Sequence, residues 1–223
     1  SWIAQIKASN KNKGEALLIA NDYRRFNYTP YAYRTKNYGK SWTRIVDAND
    51  VQSYTLSIVE DLEEPNLLFL GTDDGLYISI DAGDTWIKWT NGFPTVPVKD
   101  LVIQPREHDL VIGTFGRAAW VLDDIRPLRA MAKKKNLNTR LELFEPPTAY
   151  QAQYIQPTGS RFGADALYQG ENRKRGAPIR FYMNKPEEKK TTSKKKTSKK
   201  DVEKKTAKKN KTKWDSIQLQ IFD

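Results

Sequence analysis

Between Tyr23 and Tyr33 the chain concentrates side chains that could hold a ligand: Tyr23, Phe26, Tyr28, Tyr31 and Tyr33, interleaved with Arg24 and Arg25. Aromatic faces stack on sugar rings or grip peptide side chains, and guanidinium groups add cation–π and hydrogen-bonding capacity. Tyr23, Arg24, Phe26, Tyr28 and Tyr31 are therefore the candidate binding residues, with Arg117 from a later turn as an outlying sixth. The competing reading is that these rings pack on a neighbouring element. Metal chemistry is poorly served, because the chain has no cysteine and His108 is its only histidine. Thiolate and multi-histidine sites are excluded, and neither a metal, a cofactor nor a catalytic set is expected.

A second set of polar residues recurs at fixed spacing. Thr35, Asn37, Gly39, Ser41 and Trp42 are matched 44 residues later by Ser79, Asp81, Gly83, Thr85 and Trp86, giving the template [S/T]-x-[D/N]-x-G-x-[S/T]-W. A carboxylate or carboxamide at the third position accepts hydrogen bonds from backbone N–H groups further along, forming an Asx-type turn. The glycines suit a positive φ, and the hydroxyls close further local bonds. Each Trp opens the following strand and is large enough to fill the space between adjacent sheets. Asp81 is thus read as a turn residue and not as a catalytic acid.

The elements that would position these residues are short strands. A repeat of about 40 to 50 residues with four strands each is the signature of a β-propeller blade. The second repeat is the clearest, with strands expected at 54–59, 67–70, 76–78 and 86–89. The third runs through 98–103, 110–112 and 118–122, and its Gly113-Thr114 pair echoes Gly71-Thr72. The first has strands near 2–8, 15–20, 31–35 and 42–46, with a long aromatic loop over 21–31. After Asp123-Asp124-Ile125 the octapeptide does not recur and a short helix following Pro127 is expected, so the third repeat reads as the last blade. Its outermost strand could come from 141–144 or from chain upstream of Ser1, where the rest of the ring is also expected.

The expected fold is all-β: the last three blades of an Asp-box β-propeller followed by the start of an Ig/fibronectin-like β-sandwich. The domains are 1–147, divided into blades 1–47, 48–91 and 92–147, and 148–223 as a partial sandwich with strands near 177–183 and 216–222. The interval 185–213 holds fourteen Lys against four acidic residues and almost nothing apolar, so it reads as a disordered insert that carries nearly all of the chain's net charge of +11. No aromatics are interleaved there to stack bases, so nucleic acid is not the expected partner. No run of 18 apolar residues exists, so no membrane-spanning helix is expected.

The stretch from Asn66 to Trp86 resembles the last Asp-box (BNR) blade of sortilin/VPS10-like propellers from large secreted bacterial proteins, many labelled glycosyl hydrolases. The segments 94–100, 113–124 and 143–147 are similar to the exit from that propeller, and 176–182 and 215–223 to the Ig-like domain after it. Phe115 stands where many relatives have histidine, and Asn37 replaces the usual Asp in the first box. The resemblance implies a secreted or cell-surface module, bacterial outer membrane or extracellular, that recognises a protein, peptide or glycan. A glycoside hydrolase with its active site in upstream blades is the alternative, and a structural subunit of a surface assembly with other envelope proteins is a third. Glycoside hydrolysis needs two carboxylates about 5 to 10 Å apart. Asp22, Asp73, Asp74, Asp123 and Asp124 are available, but each has an ordinary place in a turn or at a strand end.

Overall fold

The computed structural model describes residues 1–134, 140–149 and 176–184, and the fold is all-β apart from one helix and one short 3-10 turn. The first sheet is a meander of β1 (Trp2–Ala8), β2 (Ala16–Asp22), β3 (Asn27–Thr35) and β4 (Thr43–Arg44), antiparallel and in sequence order. The second repeats it with β5 (Thr55–Glu60), β6 (Leu68–Thr72), β7 (Gly75–Ser79) and β8 (Ile87–Trp89). The third has three strands, β9 (Val98–Gln104), β10 (Asp109–Thr114) and β11 (Ala119–Leu122), followed by helix α1 (Arg126–Lys134).

The second sheet is covered on both faces. Every residue of β6 and β7 is buried, and the uninterrupted Leu67-Leu68-Phe69-Leu70 run is what a doubly covered strand requires. Alternate side chains divide between two cores. Ile58, Leu68, Leu70 and Tyr77 meet Leu17, Ile19 and Ala32 of the first sheet. Val59, Phe69, Leu76 and Ile78 meet Leu101, Leu110 and Ile112 of the third, with Ile125 and Ala132 closing the same core. Each of these large side chains contributes roughly 1.5–3 kcal/mol on burial.

Three features differ from the sequence reading. The aromatic loop is far shorter than 21–31: a single 3-10 turn at Tyr23–Arg25 suffices, and β3 starts at Asn27. Pro30 does not interrupt that strand because it lies in the irregular stretch between the Asp22–Asn27 and Ala20–Tyr31 pairs, where a missing N–H is tolerated. Leu141–Leu143 (β12) does not join β11. It pairs with Phe181–Met183 (β13) in a separate two-stranded sheet, so this ladder joins residues on either side of 147. Trp42 is 37% exposed, whereas Trp86 is 6% exposed. Trp86 lies between two sheets and donates its indole N–H to the Ile45 carbonyl at 2.7 Å; no described sheet covers the corresponding side of the first. The expected strand at 216–222 and the lysine-rich interval lie outside the described residues.

Candidate binding site

Turns in an antiparallel meander alternate between the two ends of the sheet. The octapeptide turns, between β3 and β4 and between β7 and β8, therefore share one end. The β2–β3, β6–β7 and β10–β11 turns share the other. The sheets stack with like ends together: Thr55 at the start of β5 donates to the Ala20 carbonyl at 3.0 Å, and Ser9 after β1 donates to Glu60 at the far end of β5 at 2.6 Å.

At the octapeptide end the two turns have the same wiring. Gly39 N–H donates to Thr35 Oγ1 at 2.9 Å, and Gly83 N–H to Ser79 Oγ at 2.8 Å. Ser41 N–H donates to Asn37 Oδ1, and Thr85 N–H to Asp81 Oδ1, both at 2.9 Å. The glycines have φ of 81° and 97°, a region where a β-carbon is penalised. Burial pushes the Asp81 carboxyl up, but donors from Thr85 and Ser79 outweigh it and hold the group below its ordinary value. The Asn37 and Asp81 side chains and the hydroxyls of Thr35, Ser41, Ser79 and Thr85 are all engaged within the turns themselves.

The opposite end is where the aromatic residues gather. The Tyr23 ring stacks on Tyr54 with centroids 4.8 Å apart and planes 19° from parallel, and Tyr28 meets the same ring at 6.0 Å. Tyr54 opens the second sheet, so the platform is built across two sheets. Its hydroxyl donates to Asp73 Oδ1 at 2.7 Å, and the Asp73 N–H donates to the Tyr54 carbonyl at 3.2 Å. Burial, then the neighbouring Asp73 carboxylate, raises the Tyr54 pKa well above the usual phenol, so the ring stays neutral and fixed. Phe26 stands at the tip of the turn, 83% exposed, in a left-handed conformation with φ of 58°. That conformation is costly for an aromatic residue, and here it turns the ring outward. Phe26, Tyr28, Asn27, Thr29, Pro30 and Gln52 line an open depression of about 570 Å³.

The structure brings together Tyr23, Tyr28 and Phe26, with the Arg24 guanidinium 5.9 Å over the Tyr23 ring. It separates the other two candidates from them. Tyr31 faces Arg44, whose guanidinium lies 5.1 Å over its ring, and its hydroxyl accepts from Asn27 at 3.0 Å. Arg117 stands on the β10–β11 turn of the third sheet, where its carbonyl accepts from Trp120 at 2.9 Å. Tyr54 is absent from the sequence-derived set, and Asp73 enters it only among carboxylates with an ordinary place in a turn; no local signal distinguishes a tyrosine that starts a strand from one that floors a site.

The carboxylates are individually engaged. Asp74 takes Lys88 at 2.7 Å and Thr72 at 2.6 Å, and these donors hold it below its ordinary value against the upward push of burial. Burial, and then the same carboxylate, pushes Tyr77 up to about 12. Asp124 pairs with Arg126 and Arg180. Asp22 lies 3.4 Å from the Ser1 ammonium and 4.0 Å from Arg25. Among the described residues no group of three or more His, Asp or Glu could hold a metal.

No protein-family model and no curated protein matches this sequence. Solved structures do. A GH74 enzyme from Niastella koreensis aligns over 55% of this chain with 17% identity and a TM-score of 0.47. An ancestral GH74 enzyme aligns over 52% with 14% identity and a TM-score of 0.44. The GH74 xyloglucanase of Xanthomonas campestris aligns over 57% with 15% identity and a TM-score of 0.41. The chain spans 21%, 14% and 21% of those three proteins' lengths.

Proposed function

We propose that this chain is a section of a secreted or cell-surface Asp-box β-propeller, sortilin-like in its repeated turn, that recognises a glycan. In this reading the three stacked sheets are successive blades, the octapeptides are their structural turns, and β12 and β13 begin an Ig-like module. The observation that carries the functional part is the tyrosine platform: Tyr23 stacked at 4.8 Å on Tyr54, Tyr28 at 6.0 Å, and an outward Phe26. Rigid aromatic faces bordered by Asn27, Thr29 and Gln52 suit a ligand with apolar ring faces and hydroxyl edges. A peptide would use the same rings but would gain less from the amide and hydroxyl rim. Hydrolysis by these residues is disfavoured because the available carboxylates are committed to Lys88, Tyr54 and the Arg126/Arg180 pair.

A glycan array and a chromogenic-glycoside screen test this, run on the chain and on a Phe26→Ala/Tyr28→Ala variant. The expected result is glycan binding without turnover, weakened at least about tenfold in the variant, the scale of one or two lost aromatic contacts. Turnover that survives the variant would overturn the recognition reading in favour of a hydrolase. Binding to peptides alone would overturn the choice of ligand.

A further inference from the structure

We infer that Asp73, on the turn between β6 and β7, is a positioning residue for glycan binding: it locks the Tyr54 ring on which Tyr23 and Tyr28 rest. This rests on the glycan-binding reading above. Tyr54 is 8% exposed, so it serves as a floor, whereas Tyr28 and Phe26, at 53% and 83%, are the rings a sugar would meet. Backbone pairing does not set Tyr28. The β2–β3 register shifts between the Ala20–Tyr31 and Asp22–Asn27 pairs, and Tyr28 falls in that gap. Its ring is placed by Tyr54 instead, with centroids 6.0 Å apart and planes at 43°. Tyr23 stacks on the same ring at 4.8 Å. Where Tyr54 stands therefore decides where both of its neighbours stand.

The main chain beside Tyr54 is already anchored to the first sheet. The Thr55 hydroxyl lies 3.0 Å from the Ala20 carbonyl and 2.8 Å from the Tyr31 carbonyl, and the Asn21 amide donates to the Thr55 carbonyl at 3.2 Å. The freedom left to Tyr54 is rotation and tilt of its ring, and Asp73 removes it from the far end. The Tyr54 hydroxyl donates to Asp73 Oδ1 at 2.7 Å, while the Asp73 N–H donates to the Tyr54 carbonyl at 3.2 Å. One turn thus grips both ends of one tyrosine, and a hydrogen bond to a carboxylate is about twice as strong as a neutral one. The turn is braced in its own right, because the adjacent Asp74 is engaged by Lys88 and Thr72. Rings held in place before the ligand arrives lose less side-chain freedom on binding. Asp73 therefore contributes to affinity without touching the sugar.

Calorimetric titration with cellotetraose, xylotetraose and mannotetraose tests the inference on the unsubstituted chain and its variants. Asp73→Ala is expected to weaken the best-bound tetrasaccharide about tenfold, the scale of one hydrogen bond to a charged group. Tyr54→Phe keeps the ring and the core volume but has no hydroxyl, and it is expected to lose as much. The double variant Asp73→Ala/Tyr54→Phe should lose no more than either single one, because both remove the same bond. Asp73→Asn keeps an acceptor and should stay within about threefold of the unsubstituted chain. Unchanged affinity in Tyr54→Phe would overturn the positioning role and leave the platform standing, and this variant carries the test even if Asp73→Ala fails to fold. Losses that add in the double variant would overturn it as well, since Asp73 would then act apart from Tyr54. Binding of none of the three sugars by the unsubstituted chain would overturn both readings.

Discussion

Asn37 and Asp81 occupy the same position of the same turn with different chemistry, which makes the pair a natural comparison. Both accept from the N–H four residues on at 2.9 Å. Only Asp81 is ionised, and its carboxyl is held below its ordinary value. Asp81→Ala removes the acceptor for Ser79, the Thr85 N–H and the Thr85 hydroxyl. It is expected to cost about 1–3 kcal/mol, and Asp81→Asn less, because Asn37 already serves with a carboxamide. A carboxyl with a lowered folded pKa stabilises the fold above the unfolded value of about 3.9 and loses that contribution as pH falls through the folded value. Thermal melts of Asp81→Asn and the parent chain should therefore differ at pH 7 and converge below about pH 4. A gap that stays constant across that range would mean the charge contributes nothing.

At the scale of elements, the Gly-Thr pairs of β6 and β10 look equivalent in sequence and are not equivalent in packing. A β-carbon on Gly71 would meet Ser57 Oγ at 2.3 Å and both the Val98 side chain and carbonyl at 2.7 Å, whereas on Gly113 it would meet Asp100 at 3.6 Å. Gly71→Ala is expected to cost about 1–3 kcal/mol or more by overpacking the seam between the second and third sheets, and Gly113→Ala much less. Equal melting temperatures for the two variants would refute this. Helix α1 is pinned by a contact of greater sequence separation. Arg129 is 5% exposed at its side chain and donates to Asp61, which is fully buried, at 2.7 and 2.9 Å, and to His108 Nδ1 at 2.7 Å. Removing the guanidinium strands a buried carboxylate, so Arg129→Met is expected to cost about 3 kcal/mol in urea unfolding, with much of it recovered in Asp61→Asn/Arg129→Met. Additive losses in the double variant would show that the pair is not coupled. Such contacts mark the limit of sequence reading. The short apolar runs of β5 to β10 and the helix at Pro127 are legible because strand length and punctuation are local. His108 reads as an ordinary turn residue because its partners lie 21 and 45 positions away, on Arg129 and Glu63. The β12–β13 ladder joins residues 38 to 42 apart. At the binding site Tyr23 and Tyr28 are legible by composition. Tyr54 is not, since its role exists only once the second sheet lies against the first.

Across the whole molecule, the charge of one interval and the aromatic site are separate sources of affinity, and they are easily confused. The chain carries +11, and nearly all of it comes from the fourteen lysines of 185–213. Lysines in such number attract any polyanion, with an affinity that falls steeply with salt because counterions are released. The aromatic platform would act differently: its affinity would come from ring faces with an amide and hydroxyl rim, which salt screens little. Elution from a heparin column separates the two. Replacing the lysines at 194–196, 199–200, 204–205 and 208–209 by Gln is expected to move elution to much lower salt, while Phe26→Ala/Tyr28→Ala leaves it nearly unchanged. In the glycan-binding assay the order should reverse, with the lysine replacements without effect and Phe26→Ala/Tyr28→Ala decisive, because an uncharged glycan gives the lysines nothing to attract. If the lysine replacements abolish glycan binding as well, charge on the stretch and not the platform holds the ligand. If they leave heparin elution unchanged, the near-neutral sheets themselves must carry a basic face.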